Sequence, residues 1–278
     1  MNAGATRIRV PISAAVFIAW RAVFGRFGLV LELGWLPLLV MLAALLLPGL
    51  AIRYLAPAGL LSAGGALEDA AAVFDAGVAL LALNAFAVRW HRLMLMGELS
   101  PPPRRVFARA WLRFIGYSVA VYAAGLGFFA LVWYAGLVRP ADTDQVAAIK
   151  SAAAAALGVA LSLGVARFSL VFPAAAFGAP VAPGTAWRAM RGNAWRLLLA
   201  SLLGTLPIML VTGILIDQLL AVVHLGPAEL IAKQPPLGLI LLTGVIETLL
   251  RLVLMALSAS ILAEFYRRLV LQRGEGRR

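Results

Sequence analysis

The sequence predicts an all-α polytopic membrane protein with six transmembrane helices paired as three hairpins, each preceded by an amphipathic interfacial helix. Three observations carry that prediction. The chain is 63% hydrophobic and only 13% charged, with a mean hydropathy of +0.96. An average soluble domain is about 45–50% apolar and about 25% charged, so this chain has more apolar surface than a soluble core could bury. Alanine and leucine dominate and long alternating β-branched runs are missing, which favours helices over a barrel. Uncharged runs such as the 20 residues between Glu32 and Arg53 recur, long enough at ~1.5 Å per residue to cross a hydrocarbon core of ~30 Å.

In chain order, residues 12–27 read as a retained interfacial helix, because Arg21 and Arg26 follow the apolar stretch where a signal peptide would have a small-residue cleavage site. Helix 1 is expected at 29–50, with Pro37 inside it. Helix 2 is expected at 70–96. Its uncharged core between Asp75 and Arg89 is 13 residues, too short to span alone, so one of these charges must approach the apolar zone. Pro101, Pro102 and Pro103 stop that helix. Val106 to Gly116, with Arg109, Trp111 and Arg113, is a second amphipathic segment leading into helix 3 at 116–138. A polar turn (Arg139 to Gln145) leads to an Ala/Gly-rich helix 4 at 147–171, suited to close helix packing and closed by Pro173. Trp187 to Arg196 is the third amphipathic helix, followed by helix 5 at 197–217, a loop carrying His224, Glu229 and Lys233, and helix 6 at 237–263.

Net charge is +12, and 22 of the 24 basic residues are arginine. Arginine suits phosphate oxygens, but beside six apolar spans these residues are expected to meet lipid headgroups, not nucleic acid. The loops after helices 1, 3 and 5 hold few basic residues, so both termini are expected in the cytoplasm of a bacterial cell, across the inner membrane. The chain reads as one membrane domain over residues 1–278 with repeat-like units at 12–98, 104–177 and 184–270. At an offset of 170, Arg21 meets Arg191, Gly34 meets Gly204 and Pro37 meets Pro207; the middle unit aligns more weakly at an offset of 91.

The even-numbered helices carry the intramembrane charges, and such groups face a bundle interior or a wet cavity. Helices 2, 4 and 6 are therefore expected to form an inner ring. Glu247 and Arg251, spaced i,i+4, form an intramembrane pair on one face of helix 6. At ~2.5–3.5 kcal/mol for each charge at mid-bilayer, they must pair and turn inward. The reading as a structural pair is favoured over a transport path. A second group, Arg89, His91, Arg92, Arg167, Glu264 and Arg267 with Glu32 on an opposing span, forms a candidate cytoplasmic-side anion or lipid cluster. Membrane anchoring with salt bridges explains it equally well.

Two histidines and no cysteine leave no metal constellation of usual spacing. Nucleophile-elbow, P-loop, zincin and dinucleotide fingerprints are missing too. No catalytic residue, metal or cofactor is expected, and the protein is not expected to be an enzyme. R-W-H-R-L-M-L-M-G-E (Arg89 to Glu98), R-F-S-L-V-F-P (Arg167 to Pro173) and A-W-R-A-M-R-G-N-A-W-R (Ala186 to Arg196) resemble a bacterial inner-membrane family. That family is similar to the membrane domain attached to some glycerophosphoryl diester phosphodiesterases, here without the catalytic domain. The resemblance covers most of the chain and implies no catalytic residues. The expected role is envelope or lipid organisation, with anionic headgroups and a protein partner or second copy as partners. A small transporter or permease subunit using Glu247 and Arg251 is the alternative.

Overall fold

A computed structural model describes residues 8–55, 64–100, 102–135, 144–222 and 237–272, and they are helical with no strand among them. The helices are α1 (Ile12–Phe24), α2 (Phe27–Leu55), α3 (Gly64–Met96), α4 (Arg104–Tyr134), α5 (Asp144–Phe168), α6 (Val171–Phe177), α7 (Pro183–Ala189), α8 (Ala194–Val222) and α9 (Leu237–Tyr266), the last running into a π-helical turn at Arg267–Leu271. Six are long and apolar enough to cross a bilayer, the mark of a multi-pass integral membrane protein. His224, Glu229, Lys233 and the turn at Arg139 lie outside the described residues.

The interfacial segments differ from one another. The first is a separate helix. α1 stops at Gly25, where a Cβ would lie 2.5 Å from the Arg21 carbonyl oxygen, so only glycine fits that corner. The second is not separate: α4 runs unbroken from Arg104 into its span, because no turn residue divides it after Pro103. The third was expected as one helix from Trp187 to Arg196, but it breaks between α7 and α8. Gly192 takes φ +82° there, a left-handed conformation that glycine adopts without strain. Helix 4 likewise ends at Phe168, and Pro173 sits in the first turn of α6, where its missing N–H costs no helical hydrogen bond.

The chain forms two compact units: Met1–Val16, His91–Ser201 and Ile261–Arg278 in one, Phe17–Trp90 and Leu202–Ser260 in the other. In the second unit α2, α3 and α9 interlock through small residues. Gly34 faces Leu252 and Phe86, and Gly244 faces Leu45, at distances a Cβ would bring to 3.1 Å for each leucine. Trp90 Nε1 donates to Ser260 Oγ at 2.7 Å, and Trp20 Nε1 donates to the Gly204 carbonyl at 3.0 Å. Alanine is the commonest buried apolar residue. Lipid offers leucine nothing less than a neighbouring helix does, so spans associate through close approach.

In the first unit α4 packs on α6 through Phe114 and Tyr117 against Phe172. α5 packs on α7 through Phe168 and Trp187, ring centroids 4.8 Å apart. Residues 8–10 are fixed by the α7–α8 turn. The Val10 N–H donates to Asn193 Oδ1 at 3.1 Å, Asn193 Nδ2 donates to the Ile8 carbonyl at 3.0 Å, and Arg196 donates to the Val10 carbonyl at 3.1 Å. Burial only partly follows the expected inner ring. The second and sixth spans are most buried (33% each), but the first (28%) exceeds the fourth (22%). The reason is α2, whose Gly34 admits Leu252 and Phe86 closely, whereas α5 leaves much of its Ala/Gly face open.

Candidate functional site

Two constellations stand out, one in each unit. In the second unit, α9 presents Glu247 and Arg251 on one face, as their four-residue spacing requires. Arg251 Nη2 lies 2.6 Å from Glu247 Oε1, and Nη1 lies 3.2 Å from Asp75 Oδ2 on α3. Asp75 is thus the charge that enters the apolar zone in α3, and it does so to meet Arg251. The trio holds two carboxylates against one guanidinium. Asp75 Oδ1 is buried and accepts no hydrogen bond among the described residues.

The members of the expected anion or lipid cluster divide among separate partners. Arg92 is buried, and both Nε and Nη2 reach Glu98 Oε2, at 2.8 and 2.7 Å, while Nη1 donates to the Ala176 carbonyl at 2.9 Å. It therefore ties the end of α3 to the C-terminus of α6, where carbonyls lack helical partners. Glu264 is buried and meets Arg268 at 2.5 Å and Arg267 at 3.3 Å. Glu264 and Arg267 are thus brought together, with Arg268 as a third member that sequence reasoning passed over. The His91 ring lies against Phe114, centroids 5.7 Å apart, and its Nδ1 has no hydrogen-bond partner. Arg89 is half-buried and Glu32 exposed, both in the second unit.

Arg167 goes elsewhere. Its guanidinium lies 4.5 Å above the Trp187 ring, a cation–π geometry, and Trp187 lines a groove between α4 and α5. No described protein family, curated protein or solved structure matches the chain. The site must therefore be read from its own chemistry.

The groove has a volume of about 530 Å³, within the ~300–1,000 Å³ of small-molecule sites. Tyr117, Val121 and Ala124 line it from α4, and Leu161, Gly164 and Phe168 from α5. Its walls are almost wholly apolar. A smaller, more polar cleft of about 360 Å³ lies against Arg92, Glu98 and Pro103. Arg109, Arg113, Arg167, Arg188 and Arg191 make no salt bridge to a carboxylate among the described residues, whereas Arg92, Arg251, Arg267 and Arg268 do. No local signal in the sequence separated these two groups.

Proposed function

We propose that this chain is a non-enzymatic multi-pass protein of the bacterial cytoplasmic membrane, with both termini cytoplasmic, that organises anionic lipid alone or with a protein partner. The observation that carries the reading is the set of arginines that meet no carboxylate among the described residues, Arg109, Arg113, Arg167, Arg188 and Arg191, at one end of apolar spans. A guanidinium presents a planar fork that matches phosphate, and surface basic groups gain about 1 kcal/mol each near an anionic leaflet. The motifs around Arg89, Arg167 and Ala186 support placing it beside the phosphodiesterase-linked membrane domains.

The test is reconstitution of the whole protein into phosphatidylcholine vesicles with and without phosphatidylglycerol, using spin-labelled lipids to read the layer next to the protein. Enrichment of phosphatidylglycerol in that layer is expected. Equal representation of both lipids would refute the reading.

A second reading, a small transporter or permease subunit, is favoured by one feature, the Asp75–Arg251–Glu247 trio with its unbalanced carboxylate inside the apolar zone. Such groups mark ion and proton paths in membrane proteins. Proteoliposomes carrying a trapped pH dye would show proton flux lost in Glu247→Gln if this reading holds, and no flux in the wild type if it does not.

A further inference from the structure

The groove between α4 and α5 has closed ends. At one end Phe128 meets Gly158, with 3.7 Å from the ring edge to where a Cβ would stand. At the other, α6 and α7 roof it with Phe172 against Tyr117 and Trp187 against Phe168. Between these ends the wall runs from Tyr117 to Ala124 on α4 and back from Ala160 to Phe168 on α5. That is about 10–12 Å at ~1.5 Å per residue, most of the ~15 Å hydrocarbon depth of a single leaflet. Gly164 widens it, since a Cβ there would meet nothing within 4 Å.

The charge at the roofed end has one sign. Arg167 lies over Trp187 at the roof. Arg113 is exposed one turn before Tyr117, on the face of α4 that lines the groove. Residues 114–134 are uncharged, about 31 Å of helix, which puts Arg113 at the boundary of hydrocarbon and headgroups. No carboxylate neutralises either arginine among the described residues. An apolar slot spanning most of one leaflet, headed by an indole and two guanidiniums that meet no carboxylate among the described residues, matches the acyl chain and phosphodiester of an anionic lipid in shape and in charge.

We propose that this groove is a specific site for one anionic glycerophospholipid of the surrounding bilayer, an acyl chain lying along Val121 and Gly164 and the phosphodiester held by Arg113 and Arg167. The inference rests on the anionic-lipid reading above and adds to it a stoichiometry and an address. An ordinary boundary lipid exchanges along an open helix face; this one is enclosed at both ends and fixed by charge-assisted hydrogen bonds.

Native mass spectrometry of the full chain, released from micelles supplemented with phosphatidylglycerol or phosphatidylcholine, tests it. The wild type is expected to keep one phosphatidylglycerol and no phosphatidylcholine. Arg113→Gln with Arg167→Gln should lower that occupancy about tenfold. Arg21→Gln with Arg26→Gln, an equal loss of charge on α1 and the turn that follows it, outside the groove, should leave it unchanged. Gly164→Leu plugs the slot while keeping every arginine and should also lose the lipid. It decides the matter if the double arginine variant fails to fold. Equal losses in the two arginine pairs would overturn the site and leave general anionic attraction standing. No preference for phosphatidylglycerol in the wild type would overturn both. Dimers that carry no lipid and that Gly164→Leu dissociates would show a second copy in the groove, and would also overturn the proposal.

Discussion

Asn193 makes two hydrogen bonds to the backbone of residues 8–10 with one side-chain amide, one as acceptor and one as donor. Leaving a buried backbone group unpaired costs about 1–3 kcal/mol. Asn193→Ala is expected to destabilise the protein by that amount in a detergent unfolding titration, and Asn193→Asp by at least as much, because a buried carboxylate still accepts from Val10 but turns an acceptor on the Ile8 carbonyl. Ser260 poses the same question for Trp90. Ser260→Ala strands the indole N–H in a buried place, again at about 1–3 kcal/mol. Adding Trp90→Phe to Ser260→Ala should then cost less than Trp90→Phe alone, the non-additivity of directly bonded partners. Neither tie was legible in the sequence. Their members are separated by 183, 185 and 170 residues, and hydropathy patterns report faces, not partners. Arg268 was hidden differently, as one more charge in a basic tail.

At the scale of elements, the α3–α9 pairing depends on one guanidinium between two carboxylates. Removing one partner of a fully buried ion pair costs about 3–5 kcal/mol. Arg251→Gln leaves Asp75 and Glu247 facing each other and is expected to destabilise in thermal unfolding by less than that, because the Arg251 and Glu247 side chains are only partly buried. Glu247→Gln should be mild, because Asp75 still holds Arg251. The double variant Asp75→Asn with Glu247→Gln should fall back towards the Arg251→Gln result, since it strands the cation. Part of this was readable beforehand. The i,i+4 spacing implied the pair, and a 13-residue uncharged core in α3 required a charge to enter the apolar zone. That the two facts describe one constellation needed the packing of α3 on α9. The broken third interfacial segment has its own test. Gly192→Ala places a side chain at φ +82°, where a left-handed backbone costs an L-residue about 1–2 kcal/mol.

At the scale of the whole molecule, the six spans were legible because their signal is long: an apolar stretch of about twenty residues with at most a charge or two outweighs any local ambiguity at the ends. The groove was not legible. Its lining of small, aliphatic and aromatic residues is also the composition of a lipid-facing surface, and only the splay of α4 from α5 makes it a slot. Leu210, 57% exposed in the middle of α8, belongs to the surface that lipid covers. Leu210→Arg is expected to disfavour membrane insertion by about 2.5–3.5 kcal/mol, read by glycosylation mapping of the inserted helix. The same change at Leu199, nearer the start of α8, should cost less because its side chain can reach the headgroups.

The Asn193 clamp on residues 8–10 also sets a schedule. At synthesis rates of about 5–20 residues per second, the ribosome needs roughly 10–40 s after making Val10 before Asn193 exists to receive it. Trp20 must wait similarly for Gly204, and Trp90 for Ser260. During that interval the earlier helices wait with these polar ties unmade, so the newborn chain presents an unfinished surface to whatever insertion machinery or chaperone attends it. The last third of the protein closes what the first third leaves open, and a chain truncated before residue 193 should be recognised by membrane quality control as incomplete.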